Sequence, residues 1–142
     1  MRVVADTNVV VSGLLWQGAP RQVLDAGRTG AIDLFTSAVL LAELEEVLER
    51  EKFAERLARV NVGPRELVLG YAALATLVTP EEIVPVILAD SDDDAVLACA
   101  TAAQAEVIVS GDSHLLALKD YNAIRIVRAA ELLARVSVIE KL

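Results

Sequence analysis

Short apolar runs, two of them unbroken and two holding an Asp or Arg, separated by longer stretches with helical spacing leave this chain few folds to choose from. Val3-Val4-Ala5 ends in Asp6, residues 32–35 form a second run, Val107-Ile108-Val109 leads through Ser110 and Gly111 to Asp112, and residues 124–128 form a fourth. A run that is apolar at every position reads as a strand covered on both faces, and strands alternating with helices build a parallel α/β sheet between helical layers. Ligands in such sheets bind at the carboxyl ends of the strands. The first run is therefore expected to be a buried central strand that delivers the Asp6 carboxylate to the sheet end.

The stretches between these runs carry helix signals. The first strand is expected to break at Ser12-Gly13. Pro20 then opens a helix through Arg21, Val23, Leu24 and Ala26 that Gly27 and Gly30 close. Thr36 and Ser37 are both suitable N-caps for a helix whose Leu40, Leu41, Leu44, Val47 and Leu48 fall on one stripe. Residues 52–60 and 64–77 read as two amphipathic helices, with a break at 61–63 and Pro64 as a start. The β-branched, Pro-punctuated stretch that follows predicts a strand at 77–79 and a second extended piece at 83–87. Asp94 is expected to begin a helix that is apolar all round over 95–103, followed by a strand at 105–110, a short helix at 115–119 and a terminal helix at 129–135.

A chain of 142 residues with 55% hydrophobic content is the size of one globular domain, expected over residues 1–142. No apolar run approaches the roughly 20 residues that a membrane span needs, and no secretory signal is visible, so a cytoplasmic protein without a membrane partner is expected. Cys99 is the one cysteine, which excludes an intramolecular disulfide and points to a buried thiol. The net charge of −8 runs against a nucleic-acid partner, because phosphates call for cations. The charge is uneven, however: Arg50, Lys52, Arg56, Arg59 and Arg65 crowd one stretch. Cations bound by a carboxylate cluster would also cancel part of the negative field where a phosphate must sit.

Four places can bring carboxylates to the sheet end. Asp6 follows the first strand, where an Asp can also cap a turn with help from Asn8. Glu43 lies beside Val47 at the rim of the apolar stripe, whereas Glu45, Glu46 and Glu49 fall on the far side. A carboxylate at such a rim must be paired, protonated or metal-bound. The run Asp90-Ser91-Asp92-Asp93-Asp94 holds more acids than helix capping requires. Within it Asp94, next to the buried Ala95-Val96-Leu97 turn, is the preferred ligand and Asp92 the second. Asp112 follows an apolar strand and a Gly that permits a close turn, with His114, the one histidine, two residues on. One His and one Cys cannot assemble a zinc site of the usual composition. Oxygen ligands favour Mg2+ or Mn2+, and phosphodiester hydrolysis is the natural reaction for such a site. No Gly-rich GxxxxGK loop is present, which argues against an ATPase.

Four blocks taken together, Asp6-Thr-Asn-Val-Val-Val-Ser12, residues 37–50, Asp92-Asp-Asp-Ala-Val-Leu-Ala-Cys-Ala100 and Ile108-Val-Ser-Gly-Asp-Ser-His-Leu-Leu116, resemble the PIN domain family, in particular its VapC-like toxins of prokaryotic toxin–antitoxin systems. The resemblance implies a three-layer α/β/α fold with a parallel sheet of about five strands. It also implies Mg2+- or Mn2+-dependent endoribonuclease activity on single-stranded RNA, homodimers and an antitoxin partner. Asp6, Glu43, Asp94 and Asp112 match the family's acidic positions, and Asn8 and Ser110 match the polar residues beside them. Where many members carry a second Asp after the Ser/Thr-Gly-Asp turn, this chain has His114. Two other classes compete. A PIN-like domain that binds RNA or protein without cutting would not need a complete acidic quartet. A phospho-acceptor domain would want an acidic pair at the first strand end, a single Asp in mid-sheet and a late Lys, whereas here Asp6 is followed by Thr and Asn and no Lys lies in the strand at 105–110.

Overall fold

The structure, a computed structural model, describes residues 1–81 and 91–140, with the backbone alone for residues 91, 92 and 138–140. The extended piece expected at 83–87 and Asp90 lie outside the described residues, as does the side chain of Asp92. The first run is β1 (Arg2–Ala5), and it is central as expected. It pairs in parallel with β2 (Asp33–Thr36) on one side and with β4 (Val107–Val109) on the other, so that Val4 lies opposite both Phe35 and Ile108. β2 carries the short β3 (Thr76–Leu77), and β4 carries β6 (Ile124–Val127), again in parallel. Among the described residues the sheet has six strands in the order β3-β2-β1-β4-β6-β5 rather than about five. The extra edge strand, β5 (Asp120–Tyr121), runs antiparallel to β6. Its turn residues Asn122 and Ala123 both have positive φ, as a tight hairpin needs, but without the glycine that would announce one.

Val3 and Val4 are both fully buried on opposite faces of β1, which explains the unbroken apolar run. On the Val3 face lie α1 (Thr7–Leu15), α2 (Ala19–Thr29), α3 (Ala38–Leu48), α5 (Pro64–Leu74) and α8 (Ala129–Glu140). On the Val4 face lie α6 (Ser91–Ala102) and α7 (Ser113–Leu118). A 3-10 turn (Glu51–Phe53) and α4 (Ala54–Val60) follow α3. The Ser37 hydroxyl caps α3 by accepting from the Leu40 N–H at 3.3 Å, as its position predicts.

Three expectations are corrected. The first strand stops at Ala5 and the stretch after Asp6 is helix α1, rather than strand continuing to a break at Ser12-Gly13. Its Val9, Val10, Val11 and Leu15 are all buried, so its polar face narrows to the edge that carries Asn8 and Ser12, and tertiary burial overrides the strand preference of three valines. Gly27 lies inside α2 rather than ending it, because a Cβ there would meet Leu34 at 2.5 Å. Gly30, at φ 82°, is the residue that closes the helix. The helix expected over 64–77 stops at Leu74, because Thr76 and Leu77 add to the sheet edge beside β2.

Candidate metal centre at the sheet edge

β1 and β4 are neighbours in the strand order, yet the chain leaves them toward opposite halves of the sheet, and the crevice at that reversal is where doubly wound folds bind ligands. Two polar residues stand at its floor. Asp6 follows Ala5 and its N–H donates to the Val109 carbonyl at 2.9 Å, which fixes it beside Ser110. Both are buried, at 6% and 1% exposure. The Ser110 hydroxyl donates to Asp6 Oδ2 at 2.7 Å and accepts from the Asp112 N–H at 2.9 Å. One hydroxyl thus ties the end of β1 to the turn after β4.

Burial pushes the Asp6 carboxyl above its ordinary value. The Ser110 hydroxyl is the leading opposing cause, helped by the backbone N–H groups of Asn8 and Thr7, while the negative Asp112 adds to the rise. Asp6 occupies the N-cap position of α1 without a side-chain capping bond, its Oδ2 being engaged by Ser110.

Asp112 caps α7: its Oδ1 accepts from the N–H of His114 at 2.7 Å and of Leu115 at 3.3 Å. The cap brings His114 back over its own carboxylate, with Nδ1 3.7 Å from Asp112 Oδ1 and 4.0 Å from Asp93 Oδ2. Among the described residues, Asp93, Asp112 and His114 form the one set of metal-capable groups whose ligand atoms all lie within 4.8 Å of one another. Ligands of an octahedral Mg2+ or Mn2+ stand about 3 Å apart when adjacent and about 4.2 Å apart when opposite. The donor types, two carboxylates and an imidazole, suit a divalent cation, and the separations of 3.7 and 4.0 Å about His114 lie between those two spacings.

The sequence-derived candidates divide accordingly. Asp6, Ser110, Asp112 and His114 are brought together. Glu43 is half-buried on α3, Asp94 is half-buried on α6, and both stand outside the set around His114. Asn8 is exposed and lines a cleft of about 460 Å³ with Val9, Ser12, Pro20, Gly111, Asp112 and Ser113. Asp93 enters the set without having been singled out. A periodicity signal for it exists: α6 starts at Ser91, and Asp93 lies three, four and seven residues before Val96, Leu97 and Ala100, the fully buried stripe of that helix. Placing the helix start at Asp94 hides that relation.

Residues 2–114 match the family model for the PIN domain. The chain belongs to the PIN domain family. No curated protein matches it. The match takes in β1, β2 and β4 with Asp6, Glu43, Asp92, Asp93, Asp94 and Asp112, and ends at His114; the hairpin of β5 and β6 and helix α8 follow it in the chain. PIN domains are typically metal-dependent nucleases, and the acidic set of this one stands at the sheet end where such chemistry is expected. Among the described residues no helix is long and apolar enough to cross a membrane.

Proposed function

We propose that this PIN domain is a Mg2+- or Mn2+-dependent endoribonuclease that hydrolyses phosphodiester bonds in single-stranded RNA. The convergence of Asp93, Asp112 and His114 beside the buried Asp6–Ser110 pair carries the reading. Asp93, Asp112 and His114 hold the cation, with Asp6, Glu43, Asp92 and Asp94 as the further carboxylates of the site. A divalent ion bound there supplies Lewis acidity to a phosphate oxygen and lowers the pKa of water. The imidazole nitrogen moves the preference of the site from Mg2+ toward Mn2+, since imidazole suits transition metals better than it suits magnesium. Asp6, anchored by Ser110 and made more basic by burial, is placed to orient water and accept its proton. Asn8 and Ser12, on the wall of the adjoining cleft, offer hydrogen bonds to the phosphate and sugar of the bound strand.

The likeness to VapC-like members supports a wider role. The chain acts as the toxin of a prokaryotic toxin–antitoxin pair, as a cytoplasmic homodimer of one domain per chain, held inactive by a cognate antitoxin. The test is cleavage of end-labelled single-stranded RNA by purified protein with Mn2+ or Mg2+. Cleavage that EDTA and Asp112→Asn both abolish is the expected result. Binding without cleavage under all metals would leave a non-catalytic RNA-binding domain, and cleavage unaffected by EDTA would remove the metal from the mechanism.

A further inference from the structure

Helix α1 joins the acidic centre to a second surface. Asp6 stands at its start, and Asn8, Ser12 and Trp16 follow at intervals of four residues, so they lie on one stripe. Trp16 is just past the helix end with extended backbone, and its N–H still bonds the Ser12 carbonyl at 2.9 Å, which places its backbone next after Ser12 along the helix. Asn8 and Trp16 are exposed and Ser12 is half-buried, while Thr7, Val9, Val10, Val11, Gly13 and Leu15 are buried. The solvent-facing edge of α1 is thus a narrow polar path that begins at the metal centre and ends on an indole.

The indole belongs to a basic cleft of about 230 Å³ lined by Trp16, Lys52, Glu55, Arg56 and Arg59, three cations against one carboxylate on a chain of net charge −8, with Glu55 accepting from Arg59 at 2.8 Å in an exposed pair that a phosphate would have to displace. Its ring is held in place from several directions. The Arg56 guanidinium lies 5.7 Å from the Trp16 ring centroid, and Arg56 Nε donates to the Leu15 carbonyl at 2.7 Å, at the C-terminal end of α1. The Phe53 ring packs at 6.0 Å, tilted by 58°. Even so, Trp16 stays 39% exposed. A large aromatic kept in water, fixed by cation–π and ring contacts and ringed by Lys52 and Arg59, is the composition of a base-stacking platform with phosphate contacts beside it.

We propose that this cleft is a subsite for single-stranded nucleic acid, in which a base stacks on Trp16 and Lys52 and Arg59 hold the flanking phosphates, so that the strand runs along Asn8 and Ser12 into the metal centre. The inference rests on the nuclease reading and deepens it. The nine residues of α1 span about 13 Å at 1.5 Å per residue, which is about four phosphates at the 3.4 Å spacing of a stacked strand. Cleavage and recognition are therefore separated along one strand, and the acidic centre is spared the work of attracting the polyanion.

Trp16 is the one tryptophan of the chain, so its fluorescence reports on the cleft alone. In EDTA, where no cleavage occurs, decauridylate is expected to quench that fluorescence, with an affinity that falls as salt rises. By anisotropy of labelled decauridylate, Trp16→Ala is expected to weaken binding by about five- to hundredfold, the range for loss of one stacked base, and Trp16→Phe to restore most of it. Lys52→Gln and Arg59→Gln should each flatten the slope of log affinity against log salt by about 0.7, the value for one phosphate contact on a single strand. Unmoved fluorescence, together with wild-type affinity in Trp16→Ala, overturns the subsite and leaves the cleft to a protein partner. Wild-type protein that cleaves RNA without quenching sinks the subsite alone. Protein that quenches and binds but never cleaves with Mn2+ sinks the nuclease reading while the subsite stands.

Discussion

Replacing Ser110 with alanine tests whether one hydroxyl holds the site together. Ser110 is 1% exposed and joins two segments distant in sequence, donating to Asp6 Oδ2 at 2.7 Å and accepting from the Asp112 N–H at 2.9 Å. A hydrogen bond to a charged group contributes about 1.5–3 kcal/mol and a neutral one about 0.5–1.5 kcal/mol, so losing both costs about 2–4 kcal/mol, because alanine can replace neither. The cost depends on pH in a defined direction. The Asp6 carboxyl is raised in the folded protein by burial, so its contribution to stability is fully present below the unfolded value and is lost as pH rises through the folded one. Ser110 limits that rise, and without it the Asp6 pKa climbs further. The deficit of Ser110→Ala is therefore largest at neutral pH and narrows as acid protonates Asp6. Urea unfolding of both proteins in EDTA, at neutral pH and at steps below it, measures the difference, provided that the m-values agree. A deficit under about 0.5 kcal/mol, the ordinary span for an inconsequential surface change, or one that stays constant with pH, would refute the linkage.

Asp6→Asn, by the same sign, is expected to melt above the wild type in EDTA at neutral pH, because it removes a buried charge while leaving an acceptor for Ser110. Its advantage should fade on acidification through the raised Asp6 pKa, and a lower melting temperature at neutral pH would contradict it. Asp93→Asn and Asp94→Asn separate the two neighbours: Mn2+ should raise the melting temperature of Asp94→Asn more than that of Asp93→Asn, since Asp93 stands with Asp112 and His114. Equal Mn2+ shifts in the two variants would return the assignment to both carboxylates.

The sequence made the sheet readable because its strands are covered on both faces. Val3 and Val4, or Val107 and Ile108, had to be apolar in succession, and no helix on the surface writes that pattern. Ser37 as a cap and Asp6 and Ser110 at strand ends followed from the same logic, since each comes directly after an apolar run. Helix α1 stayed hidden for the opposite reason. Between the sheet and α2 it is so enclosed that a Cβ on Gly13 would meet Leu24 at 2.7 Å and the Pro20 carbonyl at 2.9 Å, and its polar edge, only Asn8 and Ser12, is too narrow to show its period. Hairpin β5–β6 was unreadable because Asn122 and Ala123 adopt positive φ without glycine. Asp93 was obscured by its neighbours, as four aspartates within five residues give composition no means of choosing among them, and the buried stripe of α6 makes the distinction.

Asp112 shows how the candidate metal centre draws its geometry from the core. Its carboxylate accepts two N–H groups at the start of α7 through Oδ1, and a carboxylate offers about four lone-pair sites on its two oxygens, so capping and coordination do not compete for the group. Helix α7 has six residues, too few to persist in isolation. It is held from below by Leu115, fully buried in the cluster with Val96, Leu97 and Ile108, and from its start by the Asp112 cap and the Ser110 hydroxyl behind it. His114 sits between the cap and that anchor. Its side chain is 55% exposed, yet its backbone is fixed on both sides, so the imidazole swings from a rigid pivot. The two carboxylates it faces are fixed as well, Asp112 by the cap and Asp93 by its place on the buried stripe of α6. A binding site whose ligands are positioned by packing and capping would avoid most of the ordering cost on taking up a cation, which matters for a candidate centre with three close protein donors among the described residues.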